Sequence, residues 1–270
     1  MGTNRSLDIT LRNEGMRLCY GTVVSDSKWL LLGEGHGQDQ KIFQFSSETT
    51  IPLHVRGHFL RAGPKPLLGH LVIESNAGNF TIDVKAEVPA IPYADGMFGG
   101  ALAPRQIAEK AKAQPVEAAP YFEKGAVARW YAANGWPYPV QGPTVPGIGG
   151  VQQFFEALGL AKPPKVELRT TALNLRGDGG EALQATIEVV TTERKVVWVY
   201  ATCDQPWVDV NKWKAGKIGV VSVSIPRVPN KPRQTITAKI QVTSNGNQRF
   251  TVPLTLAVGN PSPYGDEMPL

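Results

Sequence analysis

Two histidines are the first candidates for chemistry, because His54 and His58 stand four residues apart in the segment His54-Val55-Arg56-Gly57-His58. On a helix this spacing would place both imidazoles on one face, where they could share a zinc ion. The surrounding residues predict a strand instead, and four residues of strand span about 13 Å. We therefore expect exposed strand histidines and no metal site.

A second candidate is a group of lysines around a tryptophan, at Lys212, Trp213, Lys214 and Lys217. We expect this segment to be a loop with Trp213 exposed, since this tryptophan has no counterpart in the first half of the chain. Clustered positive charge can steer an acidic partner toward a surface. These four residues are accordingly the candidate partner-binding residues.

Four aromatic residues lie close together in the middle of the chain, at Trp130, Tyr131, Trp136 and Tyr138. If exposed, they would form a flat platform able to stack on a sugar or to hold an apolar partner segment. If buried, they would join a helix to a sandwich, since Trp130 falls on the apolar face of a predicted helix. Both interpretations stay open, and the buried one is favoured.

Patterns typical of catalytic or phosphate-binding sites are weak in this chain. The glycines of Gly147-Ile148-Gly149-Gly150 precede a predicted helix, whose free amides could bind an anion. However, neither the lysine nor the hydroxyl residue of a phosphate loop follows them, and no nucleophile elbow occurs. We expect a protein that is not an enzyme, with no catalytic residues and no cofactor.

Most of the chain has the pattern of short strands, in which apolar residues alternate with polar ones. The clearest case runs from Leu71 to Ile82 through the turn Ser75-Asn76-Ala77-Gly78 and predicts a β-hairpin. A second hairpin is predicted around Ser244-Asn245-Gly246-Asn247. Such strands, separated by glycine and proline, are typical of an antiparallel β-sandwich.

The two hairpins belong to an internal repeat. In both halves Asp-x-x-Trp is followed by Ser-Asn and then by Phe-Thr-Ile or Phe-Thr-Val. These landmarks are Asp26-Ser27-Lys28-Trp29, Ser75-Asn76 and Phe80-Thr81-Ile82 in the first half, and Asp204-Gln205-Pro206-Trp207, Ser244-Asn245 and Phe250-Thr251-Val252 in the second. We expect Trp29 and Trp207 to be sandwich residues.

Between the halves the apolar period changes from that of strands to that of helices. One helix is predicted from Pro104, and a second carries Phe122, Ala126 and Trp130 on one face and ends at Asn134-Gly135. A third is predicted around Val151 and Phe154.

The landmarks of the repeat resemble those of the immunoglobulin-like modules of bacterial multidomain proteins, particularly the BACON type and more loosely the ASPM/SPD-2/hydin type. The match is best over 20–88 and 196–258. The tract 126–160 is similar to a segment between such modules in planctomycete proteins of unassigned function, some of them coupled to kinase domains, although no kinase signature occurs here. The resemblance implies binding or spacer units, and the BACON type implies carbohydrate as a ligand.

Composition and charge exclude several other classes. Hydrophobic residues make up 42% and charged residues 19% of the 270 residues, as in globular proteins. The net charge is +5, and residues 165–270 hold 13 basic and nine acidic residues. This excess of positive charge is too small for the basic surface that nucleic-acid binding needs.

No apolar run is long enough to span a membrane. Because the sequence has no signal-like segment, we expect a cytoplasmic protein, or an extracytoplasmic one if the chain is a fragment.

The predicted fold is mainly β, with two immunoglobulin-like antiparallel β-sandwiches joined by a short α-helical connector. We expect sandwich 1 at 1–92, the connector at 93–164, sandwich 2 at 165–260 and a C-terminal tail at 261–270. The predicted function is a non-catalytic protein-interaction or scaffolding module, with an unknown protein as its partner. A carbohydrate-binding module is the alternative, and an enzyme of unrecognised type is the third.

Overall fold

The computed structural model describes residues 3–33 and 37–261, so the predicted tail lies outside the described residues except for Pro261. The fold is mainly β, as predicted, and nearly all of its strand pairs are antiparallel. The chain divides into two compact units. Unit 1 comprises Met1–Gln106 and Ala128–Tyr138, and unit 2 comprises Ile107–Val127 and Pro139–Leu270.

Unit 1 contains seven strands in its described residues. They are β1 (Arg5–Arg12), β2 (Cys19–Ser25), β3 (Leu30–Leu32), β4 (Gln40–Phe45), β5 (Glu48–Val55), β6 (Leu67–Ser75) and β7 (Gly78–Ala86). Two sheets result, with the strand orders β1-β5-β3 and β4-β2-β6-β7. One core is shared by their inner faces and includes Leu30, Ile51, Val23 and Leu71, each of which is buried. The repeated Trp29 belongs to this core, as expected.

Unit 2 contains the remaining strands of the described chain. They are β8 (Glu167–Leu168), β9 (Leu173–Gly177), β10 (Leu183–Val190), β11 (Val199–Cys203), β12 (Asp209–Lys214), β13 (Gly219–Ile225), β14 (Thr235–Ser244) and β15 (Gln248–Val258). They form sheets of order β12-β13-β10-β8 and β11-β14-β15-β9, in which β9 and β15 run parallel. Both sheets contribute to a single buried core, which Trp207 packs against.

Four helices lie between the strands of the two halves: α1 (Pro104–Ala113), α2 (Pro115–Glu123), α3 (Ala126–Ala133) and α4 (Ile148–Ala157). The prediction of one helix from Phe122 to Asn134 is wrong. Gly125 adopts a left-handed conformation with φ 67°, which ends α2 before α3 begins. No helix in the described part of the chain is long and apolar enough to cross a membrane.

Both predicted hairpins are present, and the asparagine after each first strand has the same role. In unit 1, Asn76 accepts a hydrogen bond from the Tyr20 backbone amide through Oδ1, at 3.0 Å, and donates to the Leu18 carbonyl through Nδ2, at 2.9 Å. In unit 2, Asn245 accepts from the Trp198 amide at 3.1 Å and donates to the Val196 carbonyl at 3.0 Å. The side-chain amide therefore extends the ladder beyond the last backbone pair.

The repeated aspartate closes the opposite end of the same strand pair. The Asp26 carboxylate accepts a hydrogen bond from the His70 backbone amide at 2.8 Å, and the Asp204 carboxylate accepts one from the Lys239 amide at 2.8 Å. The Ser-Asn and Asp-x-x-Trp landmarks thus mark the two ends of one ladder in each unit, β2 with β6 and β11 with β14.

The two asparagines differ in their surroundings. Asn245 is fully buried, and its Nδ2 also donates to the Glu156 carboxylate of α4 at 2.7 Å. The same carboxylate accepts hydrogen bonds from the Trp198 indole at 2.9 Å and from the Gly246 backbone amide at 3.0 Å. Glu156 therefore attaches α4 to the end of the β11–β14 ladder, whereas Asn76 is exposed.

Truncation of the two asparagines should have unequal effects on the stability of their units. Asn245→Ala leaves buried donors and acceptors without partners, and we expect it to lower the opening free energy of β11 and β14 by about 3 kcal/mol. For Asn76→Ala, water replaces the lost partner, and we expect a loss below about 1 kcal/mol in β2 and β6. Hydrogen exchange followed by mass spectrometry measures the opening free energies of both strand pairs in the same protein. Equal losses would contradict this account.

Candidate functional site

The predicted partner-binding lysines are exposed and lie close together in sequence at one edge of unit 2. Lys212 and Lys214 belong to β12, and Lys217 lies in the segment that follows. Part of this segment is therefore a strand and not the expected loop. Because residues alternate across a strand, Lys212 and Lys214 point to the same face. We call Lys212, Lys214 and Lys217 the basic surface.

Trp213 is not exposed, which corrects the expectation from sequence. It is half-buried and packs against the core of unit 2, on the face of β12 opposite to the lysines. Its indole Nε1 donates to the Val210 carbonyl at 2.6 Å, and its ring meets Tyr200 edge to face at 6.1 Å. Trp213 thus anchors the strand that carries the lysines and does not offer a free aromatic surface.

A shallow polar groove of about 430 Å³ lies beside Lys212. Three neighbouring strands line it with short polar side chains, namely Gln184, Thr186, Asp209, Asn211, Ser222 and Ser224. Hydroxyl and amide groups of this kind can donate and accept hydrogen bonds, and the lysine supplies a positive charge. The groove can therefore hold a polar segment through hydrogen bonds and charge.

The four aromatic residues meet edge to face in unit 1. The Trp130 and Trp136 rings are 5.1 Å apart at an interplanar angle of 73°, and the Tyr131 and Tyr138 rings are 5.4 Å apart at 81°. Trp130 and Tyr131 are buried, whereas Trp136 and Tyr138 are half-buried. The rings therefore do not form a flat platform, and the cluster packs as core.

Hydrogen bonds hold the aromatic cluster on the strands and loops of unit 1. The Trp130 indole donates to the Ile91 carbonyl at 2.8 Å, and the Trp136 indole donates to the Ala62 carbonyl at 2.8 Å. Burial raises the pKa of Tyr138 to about 12 and also raises the pKa of Tyr131. The shift of both phenols in the same direction reflects the apolar surroundings of the cluster.

The two histidines have separate hydrogen-bond partners. His54 lies in β5 as predicted, but it is half-buried and not exposed, with Nδ1 at 3.2 Å from the Ser6 hydroxyl. His58 is exposed, but it lies in a short turn beyond the strand and not in the strand, and there Arg56 donates to its Nε2 at 3.2 Å. Within the described ranges, no group of three or more histidine, cysteine or acidic side chains is placed to hold a metal ion.

Both histidines line an open cleft of about 1220 Å³ in unit 1, which no sequence motif indicated. Its basic residues come from separate parts of the chain, at Arg5, Lys28, Lys41 and Arg56, and Asp26 and Asp39 lie among them. Only the tertiary fold brings these groups to one surface.

The segment from Gly147 to Gly150 forms the start of α4, and close packing explains two of its glycines. A Cβ at Gly149 would lie 2.6 Å from the Ala215 Cβ, and one at Gly150 would lie 2.7 Å from the Val145 carbonyl oxygen. Any larger residue would force the helix away from its neighbours. Packing therefore accounts for Gly149 and Gly150 without reference to an anion.

Sequence motifs missed a pairing between the repeated aspartate and a histidine. The Asp26 carboxylate lies 2.6 Å from His70 Nδ1, and the His70 Nε2 lies 3.7 Å from the Asp83 carboxylate. Ser27 donates its hydroxyl to Asp26, at 2.6 Å, and not to the histidine. A serine nucleophile would have to donate to the imidazole, so this exposed group is not a catalytic triad.

The pairing shifts the pKa of both groups. Hydrogen bonds from the Ser27 hydroxyl and from the His70 backbone and ring lower the pKa of Asp26 to about 2. The hydrogen bond to Asp26 raises the pKa of His70 above its usual value. The histidine's contribution to stability is therefore complete below about pH 6.5 and lost as the pH rises through its raised pKa, and that of Asp26 is lost as the pH falls toward 2.

The similarities of this chain to known proteins were sought first in sequence and then in structure. No family model matches the chain, and no curated protein matches it. Solved structures with partial likeness include the BIgI domain of the beta protein of S. agalactiae, bound to CEACAM1. The two share 14% identity over 36% of this chain and 100% of that domain, with a TM-score of 0.26.

Two further structures are similar at the same level. A PapD-like domain of human CEP192 shares 17% identity over 37% of this chain and 89% of that domain, with a TM-score of 0.26. A Bacteroides ovatus GH5 xyloglucanase shares 12% identity over 35% of this chain, which spans 19% of the xyloglucanase, with a TM-score of 0.27. TM-scores this low do not establish a shared fold, and neither ligand nor activity is transferred from these proteins.

The pKa of His70 should depend on Asp26 more than on Asp83. Asp26→Asn removes the charged acceptor at Nδ1, and we expect the pKa of His70 to fall toward about 6.5. Asp83→Asn is the matched control, because its carboxylate lies farther from the ring, and we expect a smaller fall. NMR titration of the imidazole protons measures both changes. A larger effect from Asp83→Asn would contradict the proposed pairing.

Proposed function

We propose that this chain is a non-catalytic protein-interaction or scaffolding module, built from two immunoglobulin-like sandwiches at 1–92 and 165–260 with the helical segment 93–164 between them. The matching roles of Asn76 and Asn245, and of Asp26 and Asp204, support a duplicated module. In each unit two sheets share one core, as in a sandwich.

The basic surface is the observation that carries the interaction function. Lys212 and Lys214 share the outer face of an edge strand, beside a groove lined by hydroxyl and amide groups. Trp213 fixes this strand from the core side, so the lysines project from a rigid element. Rigid, clustered positive charge favours a partner with acidic side chains.

Lysines on an edge strand also have a purely structural use, since they prevent the strand from pairing with other chains. That use requires neither Lys217, which lies beyond β12, nor the polar groove. The two explanations differ in their consequences: a partner-binding surface loses its ligand when the charges are removed, whereas a protective edge gains aggregation.

Two of the polar clusters are consistent with a non-catalytic role, one around His70 and one around Lys212. His70 has Asp26 as its hydrogen-bond partner but no hydroxyl or thiol nucleophile in contact with it among the described residues. The groove beside Lys212 places one lysine near one aspartate and otherwise contains neutral groups. Neither arrangement combines a nucleophile, a base and a stabilising group in the way that catalysis requires.

Neutralisation of the basic surface should weaken the capture of an acidic partner. The intact chain serves as bait in source-cell lysate, and retained proteins are quantified by mass spectrometry. We expect Lys212→Ala/Lys214→Ala/Lys217→Ala to weaken binding of the purified partner about tenfold, since three exposed charge pairs contribute roughly 1–2 kcal/mol. The charge-matched control is Lys165→Ala/Lys231→Ala/Lys239→Ala, which removes three exposed lysines elsewhere in unit 2.

Two outcomes would overturn this proposal. Equal losses in the two triple variants would show that overall charge, and not the basic surface, attracts the partner. Enrichment of cell-envelope polysaccharide without any protein would favour the carbohydrate-binding alternative.

A further inference from the structure

The final strand of unit 2 is covered along its outer edge by another strand. β9 pairs in parallel with β15, placing Leu173 opposite Leu254 and Leu175 opposite Leu256. The preceding β8 pairs with the edge of β10 in the other sheet. One segment of chain, 167–177, therefore covers the neighbouring edges of both sheets and completes the core on that side.

The corresponding strand of unit 1 has an uncovered edge. β7 pairs with β6 in the register in which β15 pairs with β14, with Ile82 opposite Leu71 and Val252 opposite Ile240. In the described part of the chain no strand pairs with the other edge of β7. Nor does any strand cover the outer edge of β1, which occupies in unit 1 the place of β10.

Burial shows that the core of unit 1 is incomplete on this side. In unit 2 the inward residues of β15, Leu254 and Leu256, are 0% exposed, and so are Ile187 and Val189 of β10. The inward residues at the matching positions of unit 1 are also apolar but only half-buried, namely Val84 and Ala86 in β7 and Ile9 and Leu11 in β1. Unit 1 therefore has apolar residues at the positions that are buried in unit 2, but no strand that covers them.

Two inward-facing side chains at the same side are largely exposed. Leu7 of β1 lies opposite Leu53 in the ladder and is 51% exposed, and Phe80 of β7 lies opposite Ile73 and is 57% exposed. β3, at the other edge of its sheet, contacts β2 and β4. In two sheets that share one core, this arrangement puts the opposite edge strands, β1 and β7, on the remaining side. We call the uncovered edges of β1 and β7, with the inward residues beside them, the open seam.

We propose that the open seam is a strand-acceptor site, which binds an extended segment of a partner protein as an additional strand parallel to β7. Recognition by strand addition uses backbone hydrogen bonds for affinity and alternate side chains for specificity. The segment β9 shows which chemistry fits, because its leucines alternate with polar residues and fill the matching place in unit 2. The partner segment should accordingly carry leucine, or a residue of similar shape, at alternate positions.

The edge of β7 lacks two of the features that normally prevent strand addition, a proline and a bulge. β7 contains no proline, and its pairing with β6 runs without a bulge over nine residues. Asp83 and Lys85 point to the outer face, away from the seam, since they alternate with the inward Ile82 and Val84. Natural edge strands of this length are usually blocked or covered. The seam is distinct from the basic surface and adds a second interaction site to the proposed module.

A peptide with the sequence of residues 169–179 of this chain is the probe. We expect saturable binding to the intact protein by fluorescence anisotropy, together with slower hydrogen exchange in 78–88. A control peptide with both leucines replaced by aspartate should bind at least tenfold more weakly. Absence of binding would overturn the proposal, and so would slower exchange confined to unit 2, because the peptide would then be replacing β9.

Variants of the protein test the site independently of the peptide. Leu7→Asp/Phe80→Asp places charges in the seam at exposed positions, and we expect at least a tenfold loss of peptide affinity with little change in melting temperature. Leu68→Asp is the control, since Leu68 is 59% exposed on the opposite face of the same sheet. Equal affinity of the double variant and the control would contradict the assignment.

The oligomeric state tests the identity of the occupant. If the unaltered protein is a dimer and the double variant is a monomer, a second copy fills the seam, and the proposal of a partner's strand is overturned.

Discussion

The fold of each unit depends on a strand ladder that is continued by side chains where the backbone pairing stops. A strand pair that ended without such groups would leave amides and carbonyls unpaired beside the core, at a cost comparable to a lost hydrogen bond. Asn76 and Asn245 supply both a donor and an acceptor at one end, and Asp26 and Asp204 supply an acceptor at the other. These four side chains hold the register on which the placement of every inward residue in the central strands depends.

The asparagine at the end of the ladder has different roles in the two units because its surroundings differ. Asn76 is exposed, and its hydrogen bonds concern only unit 1. Asn245 is buried under α4, where the Glu156 carboxylate joins the ladder, an indole and a turn amide. A charged acceptor with this number of donors is stabilising only while every partner is present. In unit 2 the asparagine at the end of the ladder therefore also holds α4 in place, whereas the matching asparagine of unit 1 faces solvent.

The surfaces of the units differ as well, and these differences locate the proposed functions. In unit 2 the edge strand β12 carries lysines on its outer face, and the edge of β15 is covered by β9. In unit 1 the edge of β7 is uncovered, and its inward residues reach solvent. The two units thus have similar strand arrangements, but one has a charged edge strand and the other has an edge at which the core is incomplete. Binding sites commonly arise in this way, by variation at the margins of a conserved scaffold.

Much of the fold followed from the sequence because local patterns determine it: alternation predicted the hairpins at Ser75 and Ser244, and the repeated landmarks marked the ladder ends. The break at Gly125 and the half-burial of Trp213 were not predictable, since a left-handed glycine is compatible with a continuous apolar face and strand packing decides exposure. The sequence alone determined which residues are apolar and how often they recur. Only the tertiary structure decided which of them are covered, because a strand from elsewhere in the chain buries Leu254, while nothing in the described chain pairs with the strand of Val84 at its free edge.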